Sequence, residues 1–315
     1  MPVLDPNYDD VLLLAWHGSG DDHLWFATRS AVLTGPGGWS TPRMSGITST
    51  GGPGLAQLGT VAYQGPPGPQ QAHLFSAGYS PGSISGPPTP IAGPSGPFQS
   101  ATRPALGGLY AEWRVLAWRR LTDGATVTSA GTQNAWTSEV AVGHTSHAPA
   151  VSSDGLLLVW KDLDGPQMRY SMHSNGGWTG QQQLIPVAGE MLTTDAPALA
   201  QARGGDAYRW AMAWRGLEDT GQIYWSTSRT QGWNDAIPAT PKGGSMWTSH
   251  GPAIYRWRGG LTMVWKGADG DARLWWSDFD AAAGRWEIPQ PIAGANSDSG
   301  PGLGGVTEAA FDTDQ

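Results

Sequence analysis

The chain has 315 residues, among them 46 Gly, 25 Pro, 18 Trp and no Cys, and its formal net charge is −8. A hydrophobic content of 39% with 10% aromatics can build a core, which excludes a disordered low-complexity chain despite the abundance of Gly and Pro. The lack of cysteine excludes disulfides, and the acidic balance argues against nucleic acid, which needs a basic face to displace counterions.

At the N-terminus, "MPVLDPNYDD" carries no basic region and "VLLLAW" is too short for a signal segment or a membrane span. The expectation is a chain without a membrane anchor, cytoplasmic or released by a route that needs no signal peptide. Six hairpin patterns then follow in order. They are "WHGSGDDHLWFA" from Trp16, "YQGPPGPQQAHLFSA" from Tyr63, "WRRLTDGATVTSA" from Trp118, "WKDLDGPQMRYS" from Trp160, "WRGLEDTGQIYWS" from Trp214 and "WKGADGDARLWWSD" from Trp265. Each reads as a strand, a short turn rich in Gly or Asp, and a second strand. A closing element follows each one at Trp39, Ile84, Trp136, Trp178, Trp233 and Trp286. A proline signature such as "TSHAPAVSS" or "TSHGPAIYR" recurs at Pro53, Pro104, Pro149, Pro197, Pro252 and Pro301, in steps of 51, 45, 48, 55 and 49 residues.

A period of about 50 residues lies in the range of propeller blades, and each unit holds four short apolar runs with no helical periodicity. The predicted fold is all-β, a six-bladed β-propeller of four-stranded antiparallel blades. The signature at Pro301 lacks a hairpin and the hairpin at Trp16 lacks a signature, so a strand near 298–306 should close the N-terminal blade. This makes 1–315 one domain, with repeats starting near 48, 100, 145, 193 and 248, and 297–315 completing the blade of 1–47. The Pro/Gly-rich stretch 78–97 is expected to form long loops in a degenerate second blade.

Acidic residues recur in the hairpin turns at Asp21, Asp22, Asp123, Asp164, Asp219, Asp269 and Asp271, a placement explained by turn hydrogen bonding rather than by glycoside hydrolysis. "GYSPG" at 78–82 lacks the helix that a nucleophile elbow requires, and His144 and His147 are three apart, which on a strand sends them to opposite faces. No phosphate-binding loop, zinc-protease helix or dinucleotide fingerprint is present. No catalytic residue, metal or cofactor is therefore expected.

What remains is the aromatic content. The residue after the second-strand aromatic is His17, Gln64, Arg119, Lys161, Arg215 or Lys266, polar in every copy. Adjacent aromatics such as Trp275 and Trp276 must face opposite sides of a strand, so a blade covered on both faces uses both. Trp is also enriched where one edge of the ring stays polar or wet, as in binding sites.

The six-fold layout, the W-K/R-G turns and the aromatic third strands resemble the bacterial and fungal propeller lectins that bind fucose and related sugars, of the Photorhabdus and Aleuria types. "SDFDAAAGRW" is loosely similar to the Asp-box turn of sialidase-like propellers. The lectin resemblance implies several repeated glycan sites between blades and no enzymatic activity, with fucose or a related monosaccharide as ligand. The residues it implies are Trp25, Tyr224, Trp225, Trp275 and Trp276, the cations Arg215 and Lys266, and the signature residues His147, Asp195 and His250. The second and third hairpins depart from the pattern, so fewer than six sites are expected. A non-catalytic interaction scaffold, including a toxin-associated one, and a sialidase-like hydrolase are the alternative readings. A homo-oligomer is compatible with all three.

Overall fold

The computed structural model describes residues 11–30, 38–56, 59–80, 82–110, 113–132, 135–174, 177–184, 190–201, 209–217, 221–229, 232–241 and 244–306. Short strands ending in Gly-, Asp- or Pro-rich turns cannot build a core alone, and here they pair into six antiparallel sheets set around an axis. The first blade joins Val11–His17, His23–Ser30 and Arg43–Thr48 to Gly302–Val306 as its inner strand. That closure runs from Val11 opposite Val306 to Ala15 opposite Gly302, as the orphan signature predicted. It removes the two free edges that an open ring would expose.

The predicted loops of the second blade need correction. Within the Pro/Gly-rich stretch lies an outer strand, Ser83–Pro90, followed by a two-stranded ribbon of Ala92–Gly93 and Gly96–Pro97. Proline is tolerated there because an outermost strand need not donate on its free side. Asp219 of the predicted turn acids lies outside the described residues.

Six apolar clusters fill the six spaces between blades. The second-strand aromatics Trp16, Tyr63, Trp118, Trp160, Trp214 and Trp265 are all buried, and each packs against the preceding blade. The closing residues Trp39, Ile84, Trp136, Trp178, Trp233 and Trp286 join the same clusters, so each blade presents a two-aromatic or aromatic–aliphatic wedge backwards. Between the sixth and first blades, the Arg29 guanidinium also lies 4.1 Å from the Trp276 ring and 4.7 Å from that of Trp257 while pairing with Asp278 at 2.8 Å.

A polar ring near the axis completes the assembly. Four residues before each signature proline stands Ser49, Ser100, Thr145, Thr193, Thr248 or Ser297, all buried. Each hydroxyl accepts the N–H of the residue two further on at 3.1–3.3 Å, a Ser/Thr turn repeated six times. The polar residue ending the second strand then reaches the next blade. His17 Nε2 lies 3.0 Å from the Ser49 carbonyl, Gln64 donates to Ser100 O at 3.0 Å, Arg119 to Thr145 O at 2.8 Å and Arg215 to Thr248 O at 3.1 Å.

Removing residues 298–315 deletes the closing strand with buried Leu303 and Val306 and the Asp298 partner of His17. Calorimetry on the truncated chain should show a melting temperature lower by more than about 10 °C. A shift within a degree or two would show that the ring does not depend on this strand.

Candidate functional site

The third strands carry the variable chemistry. Opposite the second-strand aromatic, cross-strand pairing places Trp25, Phe75, Val127, Arg169, Tyr224 and Trp275 in successive blades. In the four blades with an aromatic here, the residue two after the second-strand aromatic is glycine: Gly18, Gly65, Gly216 or Gly267. The ring or its anchoring carboxylate occupies the space of a side chain. A Cβ on Gly216 would stand 2.5 Å from Tyr224 Cε2, one on Gly65 2.8 Å from Phe75 Cε2, one on Gly18 2.7 Å from Trp25 Nε1, and one on Gly267 2.5 Å from Asp271 Cγ. The third and fourth blades have Arg120 and Asp162 instead, paired with Asp123 and Glu139, and with Arg169. In the fourth blade one member of the ion pair, Arg169, stands at the aromatic position, whereas in the third that position is Val127 and the ion pairs are made from the glycine position, by Arg120.

Trp25 and Trp275 share one further device. Each donates its indole N–H to an aspartate four residues earlier, Trp25 to Asp21 Oδ2 at 3.1 Å and Trp275 to Asp271 Oδ2 at 2.9 Å. Asp271 is held ionised, with its pKa lowered to about 2 by the Arg273 hydrogen bond first and by the Trp275 bond as a smaller contribution. With its N–H engaged, the ring has only its π face left to offer.

Trp275 lines a pocket of about 400 Å³ between the fifth and sixth blades, walled also by Trp247, Trp265, Met246 and Ile288. One interface earlier, Tyr224 lines a smaller pocket of about 190 Å³ with Trp214, Gly216, Leu217, Leu192 and Glu190. The two are repeat equivalents: Trp265 matches Trp214, Gly267 matches Gly216, and Trp247 matches Leu192, each directly before the turn threonine. Trp247 and Ile288 are 38% and 58% exposed, so the larger pocket opens to solvent through apolar side chains.

The ten sequence-predicted residues separate into three places. Trp25, Tyr224 and Trp275 lie on the backward-facing side of their blades, against the preceding blade. Trp225 and Trp276, 9% and 7% exposed, face the following blade inside the core, Trp225 with its ring 4.6 Å from Phe279. Arg215 and Lys266 are engaged by the signature, through Thr194 Oγ1 at 2.8 Å and Ser249 Oγ at 2.7 Å. His147, Asp195 and His250 occupy equivalent signature positions on consecutive blades, two residues before the prolines that line the central channel. Trp247 was missed by sequence reasoning. Its signal was there, as a tryptophan in "GGSMWTSHGP" that belongs to neither the hairpin nor the closing set.

The two histidines sit in matched relays. Lys266 donates to Ser249 Oγ at 2.7 Å, and the same hydroxyl lies 2.9 Å from Gly267 O and 3.0 Å from His250 Nδ1. Lys161, Ser146, Asp162 O and His147 repeat the arrangement at 2.9, 3.3 and 2.9 Å. Burial pushes both imidazole pKa values down, opposed by Asp195, and nearby Lys161 and Arg119, or Lys266, Arg103 and Arg215, push the same way as burial. Neutral imidazole is thus favoured in the fold. The resulting stability is complete above the unfolded value of about 6.5 and is lost as pH falls from there towards the folded values. Melting temperatures taken from about pH 7.5 to 5 should fall, and the fall should be shallower in a His147→Gln, His250→Gln double variant; parallel curves would refute this assignment.

No protein-family model matches the sequence, and no curated protein matches it. Solved structures are similar in fold. A triple arginine-to-alanine mutant of AofleA from Arthrobotrys oligospora has a TM-score of 0.58 at 13% identity, covering 94% of this chain and 86% of its own. The fucose-specific lectin from Aleuria aurantia has a TM-score of 0.57 at 10% identity, covering 90% and 97%. A putative 6-phosphogluconolactonase from Bacteroides fragilis reaches 0.54 at 10% identity, covering 95% and 98%. The chain has the six-bladed propeller fold, which the Aleuria aurantia lectin shares, and at such identities the likeness concerns the fold alone.

Proposed function

We propose that the protein is a carbohydrate-binding lectin whose sugars lodge between blades, first in the pocket of Trp247, Trp275 and Ile288 and then in its equivalent at Tyr224, with Trp25 marking a third position. The observation that carries this reading is the recurrence of one aromatic-lined pocket at repeat-equivalent positions. An enzyme concentrates its special residues in one place, whereas a multivalent binder repeats them around the ring, where linked weak sites raise avidity. The larger pocket favours a neutral sugar with a wide apolar face. Trp275 offers a π face, Met246 and Ile288 suit a methyl group such as that of a 6-deoxyhexose, and Asp271 is already occupied by Arg273 and Trp275. Fucose and related monosaccharides have this character, and the likeness to the Aleuria lectin points the same way. Glycans are the partners on this reading, with no hydrolytic step.

A glycan array with the purified protein, followed by calorimetric titration of the best ligand, tests it. Trp247→Ala should weaken binding at least about ten-fold, equivalent to some 1.4 kcal/mol, with little change in melting temperature because the ring is substantially exposed. Trp276→Ala should instead cost about 3–5 kcal/mol of stability as a cavity in the core. Undiminished glycan binding by Trp247→Ala, or turnover of aryl glycosides abolished by one carboxylate substitution, would sink the proposal.

A further inference from the structure

The pockets at Trp275 and Tyr224 are equivalent in position but not in charge. In the sixth blade the hairpin supplies its own cation. Arg273, two residues before Trp275, places its guanidinium 4.8 Å from the centre of the indole, and Asp271 holds it there through hydrogen bonds of 2.9 and 3.0 Å. The repeat-equivalent residue of the fifth blade is Gln222, a neutral and buried side chain. Its amide is turned to the backbone, with Nε2 donating to Ile223 O at 3.0 Å and to Met246 O at 3.2 Å. That position therefore brings no positive charge to the Tyr224 ring.

A carboxylate is nevertheless present in the same pocket. Glu190 lines it from the end of the fourth blade, two residues before Leu192, where the larger pocket has Ser245 two residues before Trp247. Glu190 is exposed and, among the described residues, makes no hydrogen bond or ion pair. Arg215, next to Trp214 in sequence, is committed to Thr194 Oγ1 and Thr248 O and leaves the acid unanswered. Trp214 and Tyr224, stacked with ring centroids 6.2 Å apart, form the aromatic wall. The volume of about 190 Å³ is room for about six waters, enough for a compact group, and the pocket opens past Leu217, which is 44% exposed.

We infer that the Tyr224 pocket selects a ligand carrying a compact ammonium group, with Glu190 as the residue that determines this specificity. The ammonium takes the place that the Arg273 guanidinium holds in the sixth blade, against the third-strand ring and near a carboxylate. An aromatic face attracts a cation through its quadrupole, and an unpaired acid in a partly closed pocket acts at a lower effective dielectric than one in bulk water. Resting on the reading of the interblade pockets as glycan sites, the ligand class here is an amino sugar with a free amine. The Trp275 pocket, whose acid is already taken by Arg273, keeps the neutral sugars. The ring thus carries two specificities at equivalent positions, set by the pairs Glu190 and Gln222 in one and Ser245 and Arg273 in the other.

The test is calorimetric titration of the full chain with D-glucosamine, N-acetyl-D-glucosamine and tetramethylammonium chloride at about pH 6, below the range in which amines titrate. Glucosamine should bind at least about ten-fold more tightly than its neutral N-acetyl counterpart. Glu190→Gln should remove that preference without shifting the melting temperature, because the side chain is exposed and unpaired. Tyr224→Leu should weaken both cations at least about ten-fold. Glucosamine tighter than tetramethylammonium identifies the amine of a saccharide as the ligand, whereas tetramethylammonium tighter, with the same dependence on Glu190, keeps the ammonium site and removes the sugar from it. Absence of saturable binding by both cations, N-acetylglucosamine binding as tightly as both, or Glu190→Gln without effect overturns the inference. So does an equal loss in Asp22→Asn, an exposed acid on the first blade, since that would mark diffuse attraction to a chain of net charge −8. Neutral-glycan binding at Trp247 is read separately, so either reading can fail while the other stands.

Discussion

The buried hydroxyl four residues before each signature proline is the contact on which the ring depends. A propeller has no covalent link between its blades beyond the chain itself, and apolar packing between sheets is permissive about how one blade slides on the next. A hydroxyl that accepts an N–H two residues on fixes the start of the inner strand, and the side chain ending the preceding blade's second strand is anchored to that turn in four of the six interfaces. These directional bonds are sheltered from water, where an unmade one is costly. They set the rotational register that brings Trp16, Trp118, Trp160, Trp214 and Trp265 into the wedge-shaped spaces between sheets. Arg215 and Lys266 are best understood in this setting, as members of the polar ring.

The architecture was legible in the sequence because it is periodic. Six prolines at spacings near 50 residues, six hairpins and the split between Trp16 and Pro301 led to the blade count and the closing strand without any knowledge of contacts. Alternation along the third strand also sorted the aromatic pairs correctly into two faces, with Trp275 turned to the fifth blade and Trp276 to the first. The candidate site was less legible. Alternation tells that two rings oppose one another but not which is covered, and burial of Trp225 and Trp276 follows from what the next blade supplies. Trp247 escaped because it belongs to a connection between blades, outside the periodic set, and its partner Trp275 is 28 residues away in sequence. The outer strand at Ser83–Pro90 escaped for the opposite reason, since local composition there favours a loop and only its pairing with Leu74–Ser80 makes it a strand.

The site and the fold are drawn from the same residues used in two ways. At Trp25 and Trp275 a turn aspartate, whose backbone role is to end a hairpin, also fixes an indole edge. In the fourth blade the aromatic position is taken by Arg169, paired with Asp162, and in the third by Val127, so neither offers a ring to a guest. Half of the ring's chemistry is thus decided within hairpins of about a dozen residues, while the shared polar ring stays the same from blade to blade.

The glycine beneath each third-strand ring carries a lesson about how such a protein can diversify. Converting a blade of the Gly216–Tyr224 kind into one of the Asp162–Arg169 kind requires two changes that are each unfavourable alone. A side chain added first collides with the ring, and a ring removed first leaves a hollow over bare backbone. Either order of change therefore passes through an intermediate that packs worse than both ends. The ring position and the glycine beneath it thus act as one coupled unit, and a double-mutant cycle between them should depart from additivity.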